Sequence, residues 1–180
     1  MSGILVVCTG NVCRSPMAEA FLRAALTRHL GDGAVSVTSA GTAGWEGSGA
    51  TNEAIDAARE RGADLGGHRA RRLSRDMLAA ADLVVCMAAE HRDAVARMDP
   101  QALDRTFTIG ELVRLLGTTS PHGTLADRVA AAAAARNGSV ADDTDVRDPL
   151  GDPIEGYREV ADELVDLTER LAAALATEPN

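Results

Sequence analysis

Nine consecutive residues, Cys8-Thr9-Gly10-Asn11-Val12-Cys13-Arg14-Ser15-Pro16, gather a thiol, a guanidinium and a hydroxyl between the apolar run Ile4-Leu5-Val6-Val7 and a segment with helical spacing. A loop that leaves a strand and enters a helix turns backbone N–H groups into a concave nest, and the helix dipole adds partial positive charge, so an anion is favoured there. Gly10 and Asn11 tolerate the left-handed angles such a nest demands, and Pro16, with its preset φ, suits a first helical turn capped by Ser15. Arg14 offers a planar fork of donors to two oxygens of a phosphate or another tetrahedral oxyanion. A thiol at the mouth of this nest, beside Arg14 and a helix N-terminus, is expected as a thiolate at neutral pH. Such a thiolate is a nucleophile aimed at phosphorus: it attacks in line, forms a cysteinyl-phosphate and passes the group to water. The Ser15 hydroxyl can donate to the thiolate and ease its departure. An isolated cysteine ending a strand reads more simply as a small buried hydrophobe; the Gly, Asn, Arg, Ser and Pro around Cys8 argue for chemistry instead.

Cleaving a phosphate ester also requires a proton for the leaving oxygen, hence a carboxylic acid on a loop over the nest. Asp142, Asp143, Asp145, Asp148 and Asp152 crowd one segment. Residue type alone weights them equally, and such a cluster is commonly just a solvated loop; Pro149 stiffens the turn after Asp148 and favours that position.

The elements that must hold these groups are legible in outline. Ile4 to Cys8, Ala34 to Thr38, Leu83 to Met87 and Thr106 to Ile109 read as strands, the first and third as continuous runs covered on both faces. Between them, Met17 to Leu30, Asn52 to Arg61 (stopped by Gly62), Arg75 to Ala81 (capped by Ser74) and Ala88 to Met98 read as helices. Tyr157, Val160, Ala161, Leu164, Leu167, Leu171 and Leu175 recur at spacings of three and four along a final helix from Glu155. The alternation predicts an α/β fold, a single three-layer domain over residues 1–180 with a parallel sheet and helices on both faces. The stretch 117–145 interrupts the pattern. It carries the alanine tract Ala130 to Ala135 and reads as a helical insertion or extended loop, with Leu125 to Arg136 helical and edge-packed or solvated.

Composition sets the surroundings. With 180 residues, 46% hydrophobic and 25% charged, one domain is the default. A net charge of −9 argues against a general nucleic-acid binder, although Arg69, Arg71, Arg72 and Arg75 form a local basic cluster whose simpler reading is a solvated face. No membrane span or signal peptide is apparent, so a cytoplasmic protein is expected. Three cysteines, Cys8, Cys13 and Cys86, are too few for a disulfide scaffold and lack structural-zinc spacing, so thiols are expected.

The chain resembles a known family. Cys8 to Pro16 fits the C-x5-R-S loop of the low-molecular-weight protein tyrosine phosphatases, and Ser39-Ala40-Gly41, Trp45, His68-Arg69-Ala70-Arg71, Leu83 to Met87 and Asp148-Pro149 follow in that family's order. The resemblance implies a four-stranded parallel sheet, no metal and no cofactor, Cys8 as nucleophile, Arg14 as phosphate clamp and Asp148 as general acid. Thr9, Gly10, Asn11, Val12, Cys13 and Ser15 would complete the phosphate-binding loop, with Ser39 and His68 bracing Asn11. The implied partner is a phosphorylated protein, with inorganic phosphate or another oxyanion able to fill the loop.

Substrate class is where the pattern departs. Leu150 and Gly151 follow Asp-Pro where phosphotyrosine-directed members place an aromatic wall. Trp45 remains to stack on a phenyl ring, or else plugs a core edge; with Leu150 it would form the substrate wall, and phosphotyrosine is the leading expectation. Val12 replaces the Thr that related bacterial protein arginine phosphatases tend to carry, yet the segment from Asp148 to Tyr157 is similar to that branch, which is the second reading. A thioredoxin-coupled arsenate reductase would need two further relay cysteines near the third strand. Only Cys86 is there, and it reads as core. A non-catalytic phosphate-binding module would leave the pairing of Cys8 with Asp148 without purpose. Cys13 either pairs with Cys8 under oxidants or packs the loop.

Overall fold

In the computed structural model, which describes residues 2–119, 123–136 and 145–176, the four strands lie at the apolar runs. They are β1 (Ser2–Cys8), β2 (Val35–Gly41), β3 (Leu83–Cys86) and β4 (Thr106–Thr108). All pairings are parallel and the order is β2-β1-β3-β4, so β1 is central and its carboxyl end opens where the order of connection reverses, the place where such sheets take ligands.

Side chains alternate across the sheet. Ile4, Val6, Val85, Met87 and Phe107 face α1 (Arg14–Leu30), α2 (Asn52–Arg59), α5 (Ile109–Thr118) and α7 (Ile154–Ala176) in one buried cluster. Leu5, Val7, Val84 and Cys86 face α3 (Arg75–Ala80), α4 (Ala89–Met98) and the 3-10 turn Pro100–Arg105 in the other. This is the expected three-layer domain. The stripe on α7 packs as read, with Tyr157, Val160, Leu164 and Leu171 all buried.

Several boundaries differ from the sequence reading. β2 runs on to Gly41 because Ser39, Ala40 and Gly41 pair with Val6, Val7 and Cys8. Ile109 does not end β4 but begins α5, a helix the apolar runs did not announce, capped by Thr108 accepting from the Glu111 N–H. In the 117–145 stretch, α6 (Leu125–Ala135) starts with a capping box between Thr124 and Asp127 and buries Val129 and Ala132 against the core, so it is packed rather than solvated. Arg136 ends it, spanning the buried Glu111 (Nε to Oε1, 2.8 Å), the Thr106 carbonyl (2.7 Å) and the Phe107 ring (4.2 Å to the centroid). Among the described residues no helix is long and apolar enough to cross a membrane.

Candidate active site

The loop Cys8–Cys13 joins the end of β1 to α1. Its six carbonyls are each taken from outside or behind. Cys8 O accepts from Thr42 N (2.9 Å), Thr9 O from Ala43 N (3.0 Å), Gly10 O from Trp45 N (3.0 Å), Val12 O from Thr51 N (3.0 Å) and Cys13 O from Met17 N (3.3 Å). Asn11 O accepts from His68 Nε2 at 2.7 Å, which fixes that nitrogen as the protonated one. In a planar peptide the N–H points opposite to the C=O, so a loop with its carbonyls drawn outward turns its amides toward its own centre.

The turn requires one left-handed residue, and that residue is Asn11 (φ 57°). The side chain supplies what the backbone needs. Its Nδ2 donates to Ser15 Oγ and Ser39 Oγ, each at 2.8 Å, and its Oδ1 accepts from Arg71 N at 2.8 Å. Ser39 Oγ in turn donates a hydrogen bond to Glu19 Oε2 at 2.5 Å. Gly10 is not left-handed, contrary to the sequence reading; it matters for room, since a Cβ there would sit 3.3 Å from Val12 Cγ2 and 3.7 Å from the Trp45 ring. Gly41 matters more, because a Cβ on it would lie 2.4 Å from Thr9 O and 2.9 Å from Asn11 N. The end of β2 can clasp the loop only without a side chain at that position.

Ser15 is a second correction. The helix begins at Arg14, two residues before the Pro16 start that a Ser15 cap implies, with Cys13 before it and no side-chain cap. Freed from capping, the Ser15 hydroxyl lies 2.9 Å from Cys8 Sγ, and Asn11 N–H reaches the same sulfur at 3.3 Å. Since Asn11 Nδ2 already donates to Ser15 Oγ, the serine proton is available to the sulfur.

Arg14 is buried, yet its guanidinium reaches three groups: Val146 O from Nη1 (3.1 Å), and Asp148 Oδ2 (2.6 Å) and Thr9 Oγ1 (3.4 Å) from Nη2. Asp148 comes to the loop because the segment before it is tied to the end of β3. Val146 N donates to Met87 O (2.7 Å), and Asp145 Oδ1 accepts from Ala89 N at the start of α4 (2.8 Å). Asp148 Oδ1 also accepts from Leu150 N (3.1 Å). The other carboxylates do not converge here. Asp145 serves α4, Asp152 pairs with Arg147, and Asp142 and Asp143 lie outside the described residues.

These groups line a pocket of about 350 Å³ including its open mouth, with Cys8 and Arg14 among its lining and Trp45, Asp148 and Leu150 around it. Trp45 and Leu150 are 51% and 46% exposed, so neither plugs the core. Val12 and Cys13 also line it. The Cys13 thiol is pushed up by burial, against bonds to Thr51 and Tyr157 that lower it, and all three cysteines are free. Cys86 is fully buried in β3 with its thiol likewise pushed up by burial. Among the described residues no group of His, Cys, Asp or Glu is arranged to hold a metal ion.

One neighbour escaped the sequence reading. His91 on α4 is buried and places Nε2 2.9 Å from Thr9 Oγ1. The available signal was its position, just past the carboxyl end of a central parallel strand, where ligand-facing residues gather.

The geometry sets a thiol in an amide-lined loop beside a guanidinium and a carboxyl group, and the chain as a whole matches known proteins. A sequence profile of the family described as low molecular weight phosphotyrosine protein phosphatase matches residues 3–122. The chain is 37% identical over 175 residues to a protein-arginine-phosphatase of Geobacillus stearothermophilus, covering 97% of each. It is 38% identical over 121 residues to the low molecular weight protein-tyrosine-phosphatase Etp of Escherichia coli (strain K12), covering 67% of this chain and 78% of that protein. Among solved structures it is similar to a YwlE arginine phosphatase mutant with a phosphorylated active-site serine, at 32% identity and TM-score 0.73, covering 94% of this chain and 93% of that one. With a profile spanning well over half the chain and a relative matched nearly end to end, the chain belongs to the low molecular weight phosphotyrosine protein phosphatase family.

Proposed function

We propose that the pocket removes phosphate from a protein side chain by two displacements on Cys8. The observation that carries this reading is the position of Cys8 Sγ, 2.9 Å from Ser15 Oγ and 3.3 Å from Asn11 N, in a pocket shared with Arg14 and Asp148. In the first displacement Cys8 Sγ attacks phosphorus, the P–O bond to the side chain breaks, and Asp148 gives its proton to the leaving oxygen. In the second, Asp148 takes a proton from water as that water attacks phosphorus. The P–S bond breaks, the sulfur leaves as a thiolate stabilised by Ser15 and Asn11 N–H, and phosphate departs. Arg14 holds the equatorial oxygens in both steps. A phosphoryl group that takes Arg14 Nη2 competes with Asp148 for that donor and leaves Asp148 Oδ2 to the leaving group. A phosphorylated active-site serine in a similar solved structure supports a covalent intermediate.

The substrate we favour is phosphotyrosine. Trp45 and Leu150 offer apolar walls at the mouth, and Val12 brings no hydroxyl to the pocket. Phosphoarginine is the second reading, favoured by the end-to-end match to a protein-arginine-phosphatase. A side-by-side turnover assay on a phosphotyrosine peptide, a phosphoarginine protein and arsenate with thioredoxin separates the readings. Preferred hydrolysis of the first is expected, preference for the second reassigns the substrate, and silence on all three contradicts catalysis. The site is proposed to work on proteins in the cytoplasm.

A further inference from the structure

We propose that His91, which lies outside the loop, is a positioning residue acting through Thr9: its Nε2–H occupies one acceptor site of the Thr9 hydroxyl while Arg14 occupies the other, so the Thr9 proton is directed into the pocket as an extra donor to the bound oxyanion. The proposal rests on the reading of this pocket as a phosphoryl site.

Five observations carry it. His91 is 1% exposed, and its Nδ1 is buried with no hydrogen-bond partner. Its Nε2 has two oxygens in reach, Thr9 Oγ1 at 2.9 Å and Glu90 Oε1 at 3.3 Å. Thr9 Oγ1 also receives Arg14 Nη2 at 3.4 Å, and Thr9 lines the pocket.

A neutral imidazole has one N–H, and its placement follows from these contacts. Burial foremost, then the Arg14 charge, draws the His91 titration down to about 4 against the smaller opposing pull of Asp148, so the ring is neutral at pH 7. A proton on Nδ1 would be a buried donor without an acceptor and would turn the Nε2 lone pair toward the Glu90 carboxylate. A proton on Nε2 meets two acceptors and leaves only a lone pair unpartnered. A hydroxyl has two acceptor sites and one proton. With His91 and Arg14 both donating to Thr9 Oγ1, that proton must find its acceptor elsewhere, and the pocket is the open direction. An oxyanion bound there gains a hydrogen bond beyond those of the backbone and Arg14.

The test combines a spectrum with an inhibition series. In the wild-type protein, two-bond ¹H–¹⁵N correlation of the histidine ring at pH 7 should show His91 as the Nε2–H tautomer; an Nδ1–H tautomer overturns the proposal and needs no variant. Competitive inhibition by vanadate is then compared across Thr9→Val, His91→Leu, His91→Gln and the double variant Thr9→Val/His91→Leu. One hydrogen bond to a charged acceptor predicts that Thr9→Val weakens vanadate by about tenfold or more. His91→Leu should lose a similar factor, the double variant should be no weaker than Thr9→Val alone, and His91→Gln, which keeps an N–H at that place, should stay near the parent. Parental inhibition of His91→Leu, or losses that multiply in the double variant, contradict action through Thr9. If His91→Leu does not fold, Thr9→Val and the tautomer decide between them, and a parental Thr9→Val refutes the extra donor. Vanadate-insensitive wild-type protein would instead remove the oxyanion site itself, and with it both readings.

Discussion

Replacing Asn11 with alanine tests how the loop keeps its shape. The substitution takes away the acceptor of Arg71 N and the two donors to Ser15 and Ser39, and it puts a Cβ residue without local hydrogen bonding at φ 57°. An orphaned, partly buried N–H costs about 1–3 kcal/mol and each lost hydrogen bond about 1 kcal/mol, while the left-handed backbone adds about 1 kcal/mol for alanine. The sum is about 4–6 kcal/mol, much of a typical domain's whole stability. Urea unfolding followed by circular dichroism measures it directly, alongside aryl phosphate turnover. Asn11→Gly removes the backbone part alone and should recover about 1 kcal/mol relative to alanine. Ser39→Ala, which orphans one buried Asn11 N–H and loses the bond to Glu19 but leaves Arg71 N and Ser15 paired, should cost less, about 2–4 kcal/mol. An Asn11→Ala protein with the parent's unfolding midpoint and turnover would refute the claim that this side chain sets the turn.

The remaining predictions concern other parts of the same frame. Gly41→Ala should abolish most turnover while keeping the secondary structure, because a Cβ 2.4 Å from Thr9 O forces the loop itself to move; unchanged turnover would mean that β2 does not clasp it. His91 titrates near 4 in the folded chain against 6.5 in the free residue, so the unfolded state binds more protons between those values. Its stabilising contribution is full above pH 6.5 and is lost as pH falls toward 4, by up to about 3 kcal/mol at about 1.4 kcal/mol per unit; His91→Gln should flatten that part of the pH–stability curve, and an unchanged slope would contradict it. Arg136→Ala should cost about 3 kcal/mol in urea unfolding, since it leaves the buried Glu111 with Arg92 at 3.5 Å as its remaining charged neighbour; an unshifted midpoint would show that the clamp at the end of α6 is idle. Asp148→Ala should slow esters of poor leaving groups by about 10²-fold or more and those of good ones far less; equal losses across a leaving-group series would count against a proton donor.

Much of the fold was legible because a parallel sheet writes its central strands as continuous apolar runs, as at Ile4 to Val7 and Leu83 to Cys86. The end of β2 was not, since Ser39 interrupts the apolar run and its hydroxyl is buried for the sake of Asn11 rather than for the core. Helix α5 was hidden for a related reason: Thr108 closes a strand and caps a helix at once, leaving no loop residues to mark the change. At the site, the sequence announced which residues could do chemistry but not how they share partners. Ser15 looks like a helix cap by type and position, and only the start of α1 at Arg14 shows its hydroxyl turned to the sulfur. His91 sits in a segment whose pattern says only helix, and its relation to Thr9 spans 82 positions of chain. Gly10 was read for left-handed angles that it does not adopt, and nothing in the sequence marked the role of Gly41, which serves by the absence of a side chain.

The covalent step is tested most directly by rapid quench of the Asp148→Ala variant with an aryl phosphate, followed by intact-mass and peptide analysis. The account predicts one added phosphoryl group on the peptide containing Cys8, formed in a burst with release of the aryl alcohol and absent from Cys13 and Cys86. Aryl phosphate hydrolysed with no phosphoryl group ever attached to Cys8, or a Cys8→Ala protein turning over at the parent's rate, would contradict it.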